Sequence, residues 1–328
     1  MKEAANAYPE VHKFLQYLAV EKNTSALTVK NYAADIDIFA GFLKTRYPGG
    51  FKWQEINVLD IRSYLADMNG KKYARTTIAR RISALRSFYK YLQRENKVKQ
   101  NPFVKVRTPK LEKHLPVFLE EFEVNELLEL PDTTGELGLR DQAVLELLYA
   151  TGCRVSELVG LTLDTIDLGN MFVLLHGKGN KDRLVPIGHT CREAVEKYLN
   201  GARQALMARY NAAPHDKLLV NRLGGPLTDR SVRRILDKYI KKLALRKNVS
   251  PHTIRHTFAT HALASGVDAK TLSGILGHTN ASFTLDTYTH VTSDMQKTAS
   301  GIVGGFMEDI FGKELKPWQE NEKPETEL

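Results

Sequence analysis

Six widely spaced side chains, Arg154, Lys178, His252, Arg255, His278 and Tyr288, are of the types needed to transfer a phosphoryl group without a metal ion. Two guanidiniums can hold the nonbridging oxygens and neutralise charge as a phosphorane develops. A lysine can protonate a departing sugar oxygen. Imidazoles can accept or steer the proton of a tyrosine, whose free pKa of about 10 makes it a poor nucleophile unaided.

Taken singly, each residue has a plainer reading. Arg154 follows Gly152 and Cys153, and Glu157 stands one turn later, where it would orient the guanidinium or form an ordinary surface ion pair. Lys178 sits in Gly177-Lys178-Gly179-Asn180-Lys181-Asp182. No Gly-Lys-Ser/Thr follows and a hairpin is the wrong setting for a phosphate loop, so a nucleotide site is discounted. The run Pro251-His252-Thr253-Ile254-Arg255-His256-Thr257-Phe258 puts His252 and Arg255 on one helical face. His252 and His256 have the spacing of a zinc pair. Thr253, however, stands where a metalloprotease needs Glu, and Arg255 would repel the ion, so no metal site is assigned. His256 and His261 read as packing or hydrogen-bonding histidines. Tyr288, within Thr287-Tyr288-Thr289-His290, would by itself be read as core.

The elements that must position these residues are mostly helical. Residues 8–95 read as four helices, at about 9–22, 25–46, 58–69 and 75–95, with Thr24, Ser25, Asn57 and Thr76 near their starts. In the fourth, Ile78, Ile82, Leu85, Tyr89 and Leu92 form an apolar stripe. Arg80, Arg86, Lys90 and Arg94 project from other sides, and Arg75 at its start is counted with them as a candidate for binding a polyanion. Ten Lys or Arg and a single acid, Glu95, lie between Lys71 and Lys99. The alternative is a solvated basic helix.

A proline-punctuated stretch from Val98 to Pro116 reads as a linker. Beyond it, 120–130 and 139–150 read as helices, and 171–176 and 183–187 as the two strands of a hairpin with Lys178 at its tip. Helices return at about 190–209, 228–244, 252–265, 269–276 and 293–311. The domain plan is therefore 1–97 for an N-terminal helical domain, 98–116 for the linker, 117–312 for a second domain that carries the six side chains and ends in the helix at about 293–311, and 313–328 for a disordered tail. The fold class expected is mainly α, with a small β-hairpin or sheet.

Composition limits the possibilities further. The chain has 328 residues, 42% hydrophobic and 26% charged, enough to bury two cores. No run of 18 apolar residues and no signal-peptide pattern is present, so neither membrane insertion nor export is expected. The two cysteines, Cys153 and Cys191, are too few for a disulfide framework, and a cytoplasmic location is expected. Net charge is +9, yet residues 1–112 alone hold 21 Lys and Arg against 10 Asp and Glu. The basic part is thus the N-terminal third, which favours a polyanionic partner through counterion release.

The motifs, in order and spacing, resemble the tyrosine recombinases, or phage-type integrases, over nearly the whole chain. They are Gly-Cys-Arg-Val-Ser-Glu-Leu around Arg154, the Gly-Lys-Gly-Asn-Lys hairpin, His-Thr-Ile-Arg-His-Thr-Phe-Ala-Thr-His from His252, Leu-Gly-His at His278 and Tyr-Thr-His at Tyr288. The resemblance implies that Arg154, Lys178, His252, Arg255 and His278 assemble around Tyr288 as nucleophile, with Glu157 in support. It implies a helical, SAM-like core-binding domain and a catalytic domain clamped on double-stranded DNA. It implies a homotetramer on synapsed sites, with a second recombinase subunit or a directionality factor left open, and neither cofactor nor ATP.

Up to about Ser265 the chain is most similar to Xer proteins, which resolve chromosome dimers. From Asp268 to Trp318 it is more similar to integrases of conjugative transposons. The target is therefore open between chromosome resolution and mobile-element integration. A type IB topoisomerase would use a similar constellation but a single protomer. A regulator or catalytically dead DNA-binding factor would have no use for the complete set.

Overall fold

The basic, aromatic-rich first third folds around its rings. A computed structural model describes residues 8–106, 117–177, 181–243, 245 and 247–277. The first unit holds α1 (Pro9–Val20), α2 (Ala26–Arg46), α3 (Val58–Gly70) and α4 (Arg75–Arg94). Starts follow local chemistry: the Ser25 side chain accepts the Thr28 N–H, and Asn57 accepts that of Leu59. All five stripe residues of α4 are buried. They meet Phe14 of α1, Phe39 of α2 and Tyr64 of α3 in one core, where Trp53 stands edge-on to Phe88 at 5.1 Å. Burying each such ring contributes about 2–3 kcal/mol.

The stretch expected to begin the linker at Val98 instead starts inside this core. Val98, Phe103 and Val106 are buried there, and Arg86 donates to the carbonyls of Phe103 and Val106 at 3.3 and 2.9 Å. The chain divides into two compact units. The rest of the linker, 107–116, lies outside the described residues.

The second unit is built on α6 (Glu136–Thr151), whose Ala143, Val144, Leu147 and Leu148 are buried. Around it lie α5 (Glu121–Glu129), α7 (Val155–Gly160), α8 (His189–Lys197), α9 (Arg203–Arg209), α10 (Asp229–Lys242), α11 (Pro251–Ala264) and α12 (Ala269–Leu276). The expected hairpin is present as β2 (Phe172–His176) and β3 (Asp182–Pro186), with Leu175 opposite Arg183. A two-residue β1 (Ile166–Asp167) extends it to a three-stranded antiparallel sheet in the order β1-β2-β3.

One expected helix is broken. Residues 190–209 read as continuous, but Gly201 has φ 150° and Asn200 ψ 30°, so a π-type turn at Tyr198–Ala202 separates α8 from α9. Glycine alone enters that region without strain. The helix expected at 293–311 and the tail lie outside the described residues. No helix among the described residues is long and apolar enough to cross a membrane.

Candidate active site

The site begins where α6 stops. Gly152 caps the helix in the left-handed region, at φ 54°, and an added Cβ would lie 2.4 Å from Cδ1 of Phe258. Only glycine lets the chain turn there against α11. Two residues later Arg154 precedes α7, and Glu157 in that helix's first turn accepts the Arg154 backbone N–H at 2.8 Å. Its other oxygen accepts from Arg154 Nη1 at 2.8 Å. Glu157 thus holds Arg154 at two points, its backbone N–H and its guanidinium.

A second cation shares that carboxylate. Arg183 of β3 donates Nη1 to Glu157 Oε1 at 3.0 Å and Nη2 to Oε2 at 2.7 Å. Burial opposes the charge of Glu157, but the Arg183 fork, the Arg154 N–H and the Arg154 side chain outweigh it and hold its carboxyl below the usual range.

Helix α11 supplies the next pair. Ser250 caps it by accepting the Thr253 N–H, and Pro251 occupies its first turn. Arg255 is 7% exposed and donates Nη1 to Gly152 O at 2.8 Å and Nη2 to Leu276 O at 2.6 Å. Arg154 Nη2 reaches Gly277 O at 3.2 Å, and Arg183 Nε reaches Ile275 O at 2.6 Å. Three consecutive carbonyls at the end of α12 therefore receive three arginines, where a helix leaves its acceptors unpaired and its dipole negative.

His252 lies one turn before Arg255 and is exposed. Partial desolvation and then the charges of Arg233, Arg255 and Arg154 push its pKa down, so at neutral pH it is an uncharged imidazole able to accept a proton. His256, read as a packing or hydrogen-bonding histidine, is half-buried with its pKa lowered by burial, His252 and Arg255. His261 shares a hydrogen bond with the Tyr149 hydroxyl at 2.9 Å. Among the described residues, no three His, Cys, Asp or Glu side chains converge as metal ligands would.

Arg154, Glu157, His252 and Arg255 are thus brought together. Lys178, His278 and Tyr288 lie outside the described residues. Their nearest described anchors are Gly177, whose N–H donates to Lys181 O at 3.1 Å at the hairpin root, and Gly277, which immediately precedes His278.

Sequence reasoning missed two groups. Arg183 carried one signal: it shares a strand face with buried Val185, so a charge points inward where Leu184 points out. Helix α10 buries Val232, Ile235, Leu236 and Tyr239 and exposes Arg230, Arg233, Arg234, Lys241 and Lys242, a basic face as pronounced as that of α4.

The cations expected on α4 are more committed than their exposure in sequence suggested. Arg80 pairs with buried Asp35. Arg94 stacks 4.1 Å over Tyr17 and lies 3.6 Å from Glu21 and 2.9 Å from Glu95. Arg86 binds the carbonyls noted above, while Arg75 and Lys90 stand at exposed positions.

The same architecture recurs in known proteins. Residues 117–295 match the phage integrase family, and residues 11–96 match the phage integrase N-terminal SAM-like domain. "Tyrosine recombinase XerC" of Bacillus subtilis (strain 168) is 46% identical over 285 residues, spanning 87% of this chain and 92% of that protein. The chain belongs to the phage integrase family of tyrosine recombinases. It is a site-specific DNA recombinase with a mainly helical, two-domain fold.

Another tyrosine recombinase relative, XerC of Lacticaseibacillus casei (strain BL23), is also 46% identical, over 85% of this chain and 93% of its own. Among solved structures, the Tn1549 transposon integrase with a circular intermediate DNA is similar at TM-score 0.67 and 19% identity, covering 88% of this chain and 99% of that one. XerH site-specific recombinase bound to palindromic difH substrate is similar at TM-score 0.67 and 19% identity, covering 89% and 84%. At that identity the two structures speak for the shared fold.

Proposed function

We propose that this recombinase cuts each DNA strand by attack of Tyr288 on a backbone phosphate, leaving a 3′-phosphotyrosine bond and a free 5′-hydroxyl. The hydroxyl of a partner strand reverses the step, so exchange proceeds through a Holliday junction. The bond energy is conserved, and the reaction takes neither ATP nor a metal ion. Arg154 and Arg255 hold the nonbridging oxygens, Glu157 supports Arg154, and neutral His252 with His278 manages the tyrosine proton. The observation that carries this reading is the convergence of Arg154 and Arg255 on the end of α12, with His252 one turn from Arg255.

Lys178 is the general acid. Its place beside Gly177 and Gly179 at a hairpin tip lets it reach the leaving oxygen once DNA is bound. Lys178→Ala is expected to slow cleavage of ordinary DNA and to be largely rescued by sulfur in place of the bridging 5′ oxygen, because a thiolate leaves unprotonated. A mutant that cuts the sulfur substrate no faster than ordinary DNA would give the lysine another task.

The partner is a double-stranded recombination site held through the exposed cations of α4, Arg75, Arg80, Lys90 and Arg94, and of α10. Lys90→Ala is expected to lower the salt slope of binding by about one. Arg86→Ala is instead expected to reduce stability, since its guanidinium ties residues 103 and 106 to α4. A salt slope unchanged in Lys90→Ala and lowered in Arg86→Ala would reverse these roles.

Assembly is a homotetramer on two sites. Met295, Ala299, Ile302, Val303, Phe306 and Ile310 fall at helical spacing after the nucleophile, and the apolar stripe they make needs a groove to cover it. We take that groove to belong to a neighbouring protomer. Deletion from Ser300 onward is expected to leave single-site binding and abolish synapsis, read by gel mobility of paired duplexes. A deletion that recombines normally would remove the segment from assembly. The work is cytoplasmic, on chromosome dimers or a mobile element; the 46% identity to XerC proteins favours the first.

A further inference from the structure

Arg183 reaches from β3 into the site and ties two of its parts together. Its side chain is 10% exposed while its neighbour Leu184 is 58% exposed, the reverse of what a solvated sheet face would show. Its fork spans both oxygens of Glu157, and its Nε holds Ile275 O. An added Cβ at Gly277, where φ is 65°, would come 3.0 Å from Arg183 Nη1, and one at Gly177 would come 3.6 Å from it. One guanidinium therefore joins Glu157 of α7, which follows Arg154, to the end of α12, and lies near the hairpin root at Gly177.

Charge balance gives this contact a consequence. Arg154 and Glu157 alone are a neutral pair, and a neutral pair is a poor ligand for a phosphate whose charge grows during attack. Arg183 neutralises Glu157 a second time, which returns the charge of Arg154 to the substrate. It also fixes both carboxylate oxygens in a fork geometry that a lysine cannot reproduce.

We propose that Arg183 is a positioning residue for DNA cleavage: it aims and neutralises Glu157 and pins the end of α12, so that Arg154 meets the scissile phosphate with its charge unspent. The proposal rests on the reading of Arg154 as a phosphate ligand. The test is single-turnover cleavage of pre-bound nicked duplex by Arg183→Gln, Arg183→Lys, Glu157→Gln, the Arg183→Gln/Glu157→Gln double variant and Arg154→Ala. Each is compared on an ordinary scissile phosphate and on a methylphosphonate, in which a methyl group replaces one nonbridging oxygen and removes the charge.

Arg183→Gln is expected to slow cleavage of the phosphate on the order of a hundredfold, the scale of a misplaced catalytic group. Its DNA affinity should be unchanged, the double variant should be no slower than the worse single variant, and the defect should largely vanish on the methylphosphonate. Arg183→Lys should show a smaller defect with the same relief, and it carries the comparison should Arg183→Gln not fold. Additive defects, or equal defects on both substrates, would make Arg183 a prop of the fold and overturn the proposal. Arg154→Ala reports separately: a defect that the methylphosphonate does not relieve would overturn the reading of Arg154 itself.

Discussion

Tyr288→Phe is expected to leave DNA binding intact and to remove covalent adduct formation, a loss on the order of 10⁴-fold or more, as for deletion of other nucleophiles. The substitution deletes one oxygen, the atom that bonds to phosphorus in the proposed step, and keeps the ring. Gel retardation measures the first property and a denaturing gel of a nicked suicide duplex measures the second. Residual adduct at wild-type rate would assign the nucleophile to another residue.

The second large effect is at the arginines. Arg154→Ala and Arg255→Ala should each lose about 3 kcal/mol or more of transition-state stabilisation, by analogy with oxyanion donors, while ground-state binding changes far less. Their stabilities should differ. Arg255 is buried and satisfies Gly152 O and Leu276 O, so its removal strands two acceptors and costs on the order of 2 kcal/mol or more of folding stability. The Arg154 side chain is 36% exposed, and its loss should cost much less. Denaturant titration beside single-turnover cleavage separates the two quantities. Equal losses in binding and cleavage would make both residues ordinary phosphate anchors.

Helical periodicity and capping residues make most elements legible in the sequence itself. The stripe of α4 is one face of one helix, so its burial needs no knowledge of the partner, and Ser25 and Asn57 act within a single turn. The break at Gly201 is less visible, because a lone glycine is tolerated in many helices and its φ is set by what surrounds it. The fate of Val98, Phe103 and Val106 depends on long-range packing that proline punctuation hides.

The site shows the same division. Arg154 with Glu157, and His252 with Arg255, lie within one turn of each other, so spacing alone pairs them. Arg183 acts on Glu157 from 26 positions away and on Ile275 from 92, contacts made only by the tertiary fold. The commitments of Arg80 to Asp35 and of Arg86 to the chain after Gln100 are likewise products of packing, which a count of basic residues along α4 could not contain.

The chemistry is tested most directly by trapping and mapping. Protein incubated with a nicked suicide duplex carrying the candidate site, in excess chelator and without ATP, is digested, and the DNA-linked peptide is sequenced by mass spectrometry. The expected result is a single adduct on Tyr288 joined to a 3′-phosphate, with a 5′-hydroxyl on the released strand. An adduct on any other residue, linkage to a 5′-phosphate, or cleavage that the chelator abolishes would contradict it.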